Sequence, residues 1–232
     1  MSVSRVVRAV VSAACVLAAG AGCDSPDESP APEPSAADIE ATTMRGAFLQ
    51  PAEIGPAWAP TEEAPDQVEL VSFCGGTTKG PAVPPGATVV ASAAIDQGQA
   101  GVQTLHQYAL VYPDAAGATA GAALLRAVAD GCRPDVSAPA TVTDDRNEPA
   151  YTESARVQPL TEGRWSGFVV LRHKKYEPKH PGTADTAVAV LSNRNVVLVD
   201  TYAIYRLSAT GPAPAFDADW KKLVGSVVQR VG

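Results

Sequence analysis

The hydrophobic and polar positions of the chain follow two different periods, and their order along the sequence predicts the secondary structure. Two-residue alternation, or short β-branched runs bounded by Gly, Pro, Asn or Asp, is typical of strands. Six segments have this pattern: 87–95, 101–112, 151–160, 163–173, 185–193 and 195–207. "VLSNRNVVLV" (190–199) places a tight reversal between two apolar runs and predicts an antiparallel hairpin. The near-continuous apolar runs "FVVL" and "NVVLV" indicate central strands that are partly covered on both faces.

The first helical segment precedes these strands. Asp38 or the Thr42–Thr43 pair is expected to cap a short helix that ends before Pro51. "QPAEIGPAWAP" (50–60) then predicts a turn or a single 3₁₀ turn, in which Trp58 packs against the core. The apolar stripe of the helix consists of Ile39, Met44, Phe48 and Leu49.

Two longer helices are predicted further along the chain. Asp114 is a favourable N-cap, and the chain then runs without proline to Gly131. The last helix covers 216–231, where apolar residues recur at spacings of three and four. Helices at the start, middle and end, with consecutive strands between them, predict the α+β class: a twisted antiparallel β-sheet with packed helices. The residues of the middle helix expected to pack are Leu124, Leu125 and Val128.

Residues 1–22 have the composition of an export signal. Arg5 and Arg8 give it a basic start without acids, and residues 9–22 are uncharged and mostly small and apolar. A helix over this apolar part would rise only about 21 Å, short of the ~30 Å hydrocarbon core of a bilayer. A permanent transmembrane helix is therefore disfavoured.

The end of this signal decides the role of Cys23. A bacterial lipoprotein signal places small residues before the cysteine that receives the lipid. Ala21, Gly22 and Cys23 fit that pattern, whereas Gly20 stands where the pattern prefers Leu. We therefore predict lipidation at Cys23, which would anchor the protein at the outer face of the cell membrane. The alternatives are a secreted soluble protein, cleaved at a small-x-small site that ends at Ala21, and an uncleaved anchor.

A tether and one domain follow the signal. Residues 24–37, "DSPDESPAPEPSAA", hold four prolines and four acids and no large apolar residue. Such a segment cannot offset its ordering entropy by burial and favours an extended chain. We assign 1–22 to a lipoprotein signal peptide, 23–38 to a Pro/acid-rich tether and 39–232 to one extracytoplasmic domain.

The net charge of the chain and the absence of common catalytic motifs narrow the classes of function that the protein can have. The formal charge of −7 repels nucleic acid, so we expect no nucleic-acid partner. G-x-S-x-G, S-x-x-K, H-E-x-x-H, C-x-x-C and G-x-G-x-x-G are all absent, so we predict neither an enzyme nor a cofactor or metal site. His106 is expected to be an ordinary strand residue, and the Asp144–Asp145 pair a mobile loop rather than a calcium site.

The four cysteines divide into two groups. Cys15 would leave with the signal, and Cys23 is assigned to the lipid. Cys74 and Cys132 remain as one pair in an exported domain, for which we predict a disulfide. Two free thiols, or a cross-link to a partner, are the alternatives.

One basic cluster, "HKKYEPKH" (173–180), stands out in the acidic chain. A solvated loop between strands is the simplest interpretation, and an anion-accepting or partner-contacting loop is the functional one. The candidate binding residues of this loop are His173, Lys174, Lys175, Tyr176 and His180. Six strand aromatics either pack or line a ligand groove: Tyr108, Tyr112, Tyr151, Trp165, Tyr202 and Tyr205.

Several segments, in the order in which they occur along the chain, resemble those of a known protein family. They are "GAFLQPAEIGPAWAP", the strand and helix "QYALVYPDAAGATAGAALLRAVADGC" with its terminal cysteine, "GFVVLR", the "AVLSNRNVVLVDTY" hairpin and the last helix. In this order, residues 40–232 resemble the PknH-like extracellular sensor domain of actinobacterial lipoproteins and receptor kinases. The resemblance implies a twisted antiparallel sheet with helices, a disulfide and a groove for an extracellular ligand.

Together these observations predict a membrane-anchored lipoprotein with a non-catalytic, sensor-like domain. Its expected partners are the membrane, through the N-terminal lipid, and an unknown small molecule or envelope protein. The alternative is a cell-envelope interaction or scaffold protein without a ligand pocket. A concave apolar pocket between sheet and helix would favour the first function, and a flat exposed apolar patch the second.

Overall fold

The computed structural model describes residues 37–61, 69–77, 79–98, 101–142, 147–209 and 211–232. The predicted signal peptide, Cys23, the tether up to residue 36 and the Asp144–Asp145 pair lie outside the described residues. The helices are α1 (Ala41–Ala47), α2 (Pro51–Ile54), α3 (Ala115–Asp130) and α4 (Phe216–Val231). The strands are β1 (Trp58–Pro60), β2 (Thr88–Asp96), β3 (Val102–Val111), β4 (Asp135–Ala138), β5 (Thr141–Val142), β6 (Asn147–Glu148), β7 (Tyr151–Glu162), β8 (Trp165–Tyr176), β9 (Gly182–Asn193) and β10 (Val196–Leu207).

Eight strands form one antiparallel sheet, in the order β1-β2-β3-β10-β9-β8-β7-β4. The remaining two, β5 and β6, pair as a separate ribbon. The predicted α+β class, an antiparallel sheet with packed helices, is confirmed, and each of the six predicted strands is present. β9 and β10 lie at the centre of the sheet and are buried on both faces, which explains their near-continuous apolar sequence.

The predicted hairpin joins β9 and β10 through a two-residue turn. Arg194 has a positive φ of 52° there, as the favoured hairpin turns require. Asn195, which is 3% exposed, accepts a hydrogen bond from the Ile39 N–H (2.7 Å) and donates to the Tyr112 carbonyl (3.0 Å). This buried amide ties the first described residues to the middle of the sheet.

Two hydrophobic layers cover the two faces of the sheet. On the first face, α1 and α4 pack over an apolar layer that includes Met44, Phe48, Trp165, Leu198, Tyr202, Trp220 and Val227. On the second face, α3 and the segment 69–76 pack over a layer that includes Leu70, Phe73, Leu110, Leu125, Phe168, Val170 and Val197. The two layers share the central strands, so the core is divided by the sheet rather than enclosed on one side.

The packed side of α3 differs from the prediction. Leu124 and Val128 are 53% and 40% exposed, so their assignment to the packed side is wrong. Small residues determine which side of α3 faces the sheet, because they let the helix approach the sheet closely. At Gly121, for example, an added Cβ would lie only 2.1 Å from the Tyr112 hydroxyl oxygen. The residues that are buried are Ala118, Gly121, Leu125 and Ala129.

The predicted helix starts agree with the structure in part. Asp114 caps α3, since its Oδ1 accepts a hydrogen bond from the Gly117 N–H at 2.7 Å. α1 begins after Glu40 without a side-chain cap, so the predicted cap by Asp38 or the Thr42–Thr43 pair is wrong. Its predicted apolar stripe is buried, and this packing holds the short helix in place.

The predicted turn at 50–60 contains more structure than expected. It forms α2 and the edge strand β1, which pairs with β2. Trp58 is half-buried at the start of β1 and packs against the first-face layer, as predicted. The short strand was not visible in the sequence pattern, because three residues are too few for a period.

The Cys74–Cys132 disulfide is present, as predicted. It joins the segment before β2 to the end of α3, across a sequence separation of 58 residues. A closed loop of this length stabilises the fold by about 4 kcal/mol in the chain-entropy model. Among the described residues, no helix combines the length and apolar character needed to cross a bilayer.

Candidate functional site

A cavity of about 190 Å³ lies between α2, α4 and the first face of the sheet. We name it the helix-side pocket. Its apolar wall is formed by Leu49, Ile54, Trp58, Tyr202 and Leu223. Its polar groups are Glu53, Gln103, Asp219, Lys222 and Ser226. Apolar and polar side chains line the cavity in equal numbers, and small-molecule sites likewise combine an apolar surface with polar groups that orient the ligand.

The α2 wall of this pocket is fixed by a capping box and an ion pair. The Gln50 N–H donates to Glu53 Oε2 at 2.8 Å, and the Gln50 side chain accepts from the backbone N–H of Glu53. Arg230, in the last turn of α4, places Nη2 3.0 Å from Glu53 Oε1. The hydrogen bond from Arg230 holds the pKa of the Glu53 carboxyl below its usual value. The two helices that border the pocket are therefore joined directly.

Tyr202 forms the floor of the pocket. Its hydroxyl donates to Gln103 Oε1 at 2.6 Å, and Gln103 Nε2 donates to Asp96 Oδ2 at 3.3 Å. Its ring stacks on Phe216, with the centroids 5.8 Å apart. Burial raises the pKa of Tyr202, and the charges of Asp219 and Asp96 raise it further. The phenol therefore stays protonated and acts as a hydrogen-bond donor.

Two buried hydrogen bonds in series fix the backbone of Leu49, which lines the pocket. The Leu49 N–H donates to Gln107 Oε1 at 2.9 Å, and Gln107 Nε2 donates to Asp200 Oδ2 at 3.0 Å. Asp200 is 1% exposed, and its Oδ1 has no hydrogen-bond partner among the described residues. Burial raises the pKa of Asp200 to about 7, whereas the hydrogen bond from Gln107 opposes this rise.

Two polar groups of the pocket already have partners within the protein. The Ser226 hydroxyl donates to the Lys222 carbonyl at 2.8 Å, so its proton is directed at the backbone and not at a base. Glu53 is engaged by Arg230. In the described ranges, no three His, Cys, Asp or Glu side chains converge as metal ligands.

The residues predicted to form a binding loop lie mostly in a strand. β8 continues to Tyr176, three residues beyond its predicted end, and includes His173, Lys174 and Lys175. The loop assignment is therefore wrong for these four residues, because each has a partner on a neighbouring strand, such as Tyr151 opposite Tyr176. His180 lies in the turn that follows. The role of these residues in binding stays a prediction.

Three of these five side chains contact a carboxylate group. His173 Nδ1 lies 2.6 Å from Asp185 Oδ1, and Lys174 Nζ lies 2.8 Å from Glu148 Oε1. His180 Nδ1 lies 3.1 Å from Glu177 Oε1 on the surface. These contacts hold the end of the sheet together.

The predicted aromatic set divides by position. Tyr108, Tyr112, Trp165 and Tyr202 are buried, as packing residues would be. Tyr151 and Tyr205 lie near Tyr176 at the end of β8. His106 is half-buried with its ring stacked near Tyr108, in keeping with a strand residue.

Sequence reasoning missed most polar residues of the helix-side pocket. Gln103, Asp219, Lys222 and Ser226 come from strand β3 and helix α4, which are far apart in the chain. Each occupies an ordinary position of an amphipathic pattern, so no local signal distinguishes it. They come together only because α4 packs over β9 and β10, next to β3 in the sheet.

No protein-family model and no curated protein sequence matches this chain. Its fold is similar to that of the extracellular domain of PknH from Mycobacterium tuberculosis, with a TM-score of 0.53 and 13% sequence identity. That similarity covers 84% of this chain and 97% of the PknH domain. A putative uncharacterized protein from Mycobacterium smegmatis aligns over the same shares, at a TM-score of 0.39 and 14% identity. The predicted resemblance to PknH-like extracellular domains is confirmed at the level of the fold.

Proposed function

We propose that this protein is a lipid-anchored, extracytoplasmic lipoprotein whose non-catalytic, sensor-like domain binds a small amphipathic molecule in the helix-side pocket. The observation that carries the binding proposal is the pocket itself, which lies between sheet and helices and combines the Trp58 and Tyr202 rings with a few polar groups. The fold shared with the PknH extracellular domain supports the sensor-like assignment. Anchoring rests on the sequence around Cys23.

The geometry favours an amphipathic ligand of low net charge. Glu53 is paired with Arg230, and Asp219 and Lys222 stand one helical turn apart at the rim, so the charges around the pocket cancel. An apolar group would pack between Trp58 and Leu223. The polar part of the ligand would then lie near the rim of the pocket.

The scaffold alternative has one observation in its favour. Leu124 and Val128 are exposed and one turn apart on α3, which is the start of an apolar patch. They lie on the second face of the sheet, whereas the helix-side pocket lies on the first. The two functions are therefore separable by variants on different helices.

Native mass spectrometry of the full chain, purified from its membrane in mild detergent, tests the binding proposal. We expect a reproducible added mass from a co-purified ligand. Ser226→Tyr fills the helix-side pocket and should remove that mass, whereas the matched variant Gln229→Tyr, on the exposed side of the same helix, should retain it. A protein free of added mass in every preparation, or a ligand retained by Ser226→Tyr, would count against the pocket.

A further inference from the structure

The helix-side pocket is small, and its size limits the class of ligand that it can take. Its volume of about 190 Å³ equals that of roughly six liquid water molecules, at about 30 Å³ each. Sites for drug-sized molecules are larger, at about 300–1,000 Å³. Because a methylene group and a water molecule have similar volumes, the pocket can enclose an apolar group of roughly four to seven carbon atoms.

The inner part of the pocket offers an apolar surface for one such group. Leu49 and Leu223 are buried and Trp58 is half-buried, and all three line the cavity. The Tyr202 ring at the floor is held by its stacking on Phe216. These walls are formed before a ligand arrives, which removes part of the entropic cost of binding.

Two groups of opposite charge stand at the rim of the pocket without a partner. Asp219 is half-buried and Lys222 is exposed, and their spacing of three residues places them on the same side of α4. In the described part of the chain neither of them forms an ion pair, whereas Glu53 is paired with Arg230. A half-buried carboxylate gains when a ligand supplies a cation that replaces its lost hydration.

The positions of these charges give the rim a direction. Asp219 lies close enough to Tyr202 for its charge to raise the pKa of the phenol, and Asp96 acts on the same group. Both carboxylates therefore act on the inner side of the rim, whereas the exposed Lys222 brings its ammonium group to the solvent side. A ligand that is an ion of one sign would be attracted by one side of the rim and repelled by the other. A zwitterion with its cation inside would match both.

We propose, on the basis of the proposed binding function of this pocket, that its ligand is a free α-amino acid with an apolar side chain of about the size of leucine. The side chain packs between Trp58 and Leu223, the ammonium group binds Asp219 and the carboxylate binds Lys222. One carbon atom carries both charged groups of the ligand, and helix residues three apart have Cβ atoms about 5–6 Å apart, so both contacts form together. Three contacts around one stereocentre also select one enantiomer.

Equilibrium dialysis of the full chain in mild detergent tests the ligand class. The probes are both enantiomers of leucine, isoleucine and phenylalanine, at up to about 10 mM. We expect at least one of these amino acids to bind, with one enantiomer about fivefold or more tighter than the other, because the wrong hand loses a contact. The corresponding amine and carboxylic acid each lack one charged group, so each should bind about tenfold more weakly.

Two variants assign the charged groups of the ligand to their partners. Asp219→Asn should remove the advantage of the amino acid over its carboxylic acid analogue, which lacks the ammonium group. Lys222→Gln should remove the advantage over the amine, which lacks the carboxylate. The matched control is Lys221→Gln, which should retain both advantages, because Lys221 is exposed on the same helix and does not line the pocket. Ser226→Tyr, which fills the pocket, should abolish binding.

The outcomes separate this inference from the proposed function. If the amine and the acid bind as tightly as the amino acid, and Ser226→Tyr abolishes the binding of all three, the pocket binds a small amphipathic molecule and the amino-acid class is wrong. The class is also wrong if no amino acid binds while native mass spectrometry shows an added mass that Ser226→Tyr removes. If neither a bound amino acid nor an added mass is found, both proposals fail.

Two further results would overturn the inference. Amino-acid binding that Ser226→Tyr retains would place the site outside the helix-side pocket. An equal effect of Lys221→Gln and Lys222→Gln would show that the net charge of α4, and not a contact with the carboxylate, sets the affinity.

Discussion

At the residue scale, Asp200 is the least expected feature of the molecule. A carboxyl group with 1% exposure and one oxygen without a partner is costly to ionise, because burial removes its hydration. No other charged group contributes to its raised pKa. The carboxyl group accepts one hydrogen bond from Gln107, whose side chain in turn accepts one from the Leu49 N–H at the helix-side pocket.

Asp200 should make the stability of the protein depend on pH. Its pKa rises from 3.8 when unfolded to about 7 when folded, so the folded state retains a proton that the unfolded state has lost. The contribution of Asp200 to stability is therefore fully present below about pH 4, falls as the pH rises to about 7, and is lost above that pH. The loss is about 4 kcal/mol, at 1.36 kcal/mol per pKa unit.

Asp200→Asn keeps an oxygen for Gln107 and removes this titration. In urea unfolding at pH 4 and pH 8, we expect the variant to lack this fall in unfolding free energy and to be the more stable protein at pH 8. The control is Asp130→Asn, because Asp130 is 54% exposed and forms only a surface pair with Arg126. Parallel pH profiles for wild type and Asp200→Asn would contradict the assignment.

Sequence alone could not identify this residue. Asp200 stands inside "NVVLVDTYAIYRL", where the strand is predictable but the environment of one polar position is not. Its burial depends on helices packing over the first face of the sheet, and its partner Gln107 is 93 residues away in the chain. The same holds for Asn195, whose partners Ile39 and Tyr112 are equally remote.

At the element scale, the long strands were predictable because their period extends over many residues, and the hairpin because its turn is local. β1 and β4 were not, since three or four residues carry no clear period and exist only through pairing. The orientation of α3 was also missed, because large apolar residues were expected to pack. Close approach at Gly121 selected the small residues and left Leu124 exposed.

The edge formed by β7 carries a protective proline. Among the described residues, β4 pairs with β7 only at 151–154, so 156–162 has no neighbouring strand on that side. The Ala155 N–H donates towards β4, to the Pro134 carbonyl, at 2.7 Å. Because backbone direction alternates along a strand, residue 159 points the same way, and Pro159 places no donor on the open edge.

Restoring the donor should promote self-association. Pro159→Thr supplies one more edge hydrogen bond per copy, so a symmetric dimer gains two bonds of about 1 kcal/mol each. Dimer formation should therefore strengthen about thirtyfold in sedimentation velocity. Gln158→Thr, whose N–H faces β8, serves as the matched control and should leave association unchanged. Equal association constants for the two variants would show that the edge is protected by something other than Pro159.

At the scale of the whole molecule, the two ends of the sheet have different roles. The Arg194 guanidinium donates to the Ala37 carbonyl at 2.7 Å and to the Gly232 carbonyl at 3.3 Å, so the first and last described residues meet at the β9–β10 turn. Tyr176 marks the opposite end of β8. A strand of 12 residues spans about 36 Å, so that end of the sheet is far from the point where the described domain begins.

The proposed lipid anchor would attach the protein to the membrane through the segment that precedes Ala37. If Cys23 carries the lipid, a palmitate analogue should label the full chain and the protein should sediment with membranes. Cys23→Ala should lose the label and appear in the soluble fraction, because two or three acyl chains make anchoring stable and none leaves only weak association. Cys15→Ala, a change within the predicted signal, should keep both properties.

Anchoring and folding should then prove independent. Two hydrophobic layers and the disulfide lie within the described domain. The Cys23→Ala protein should therefore show the same thermal midpoint as wild type. Labelling of Cys23→Ala as strong as that of wild type would exclude Cys23 as the acceptor, and it would leave the helix-side pocket to be judged on its own test.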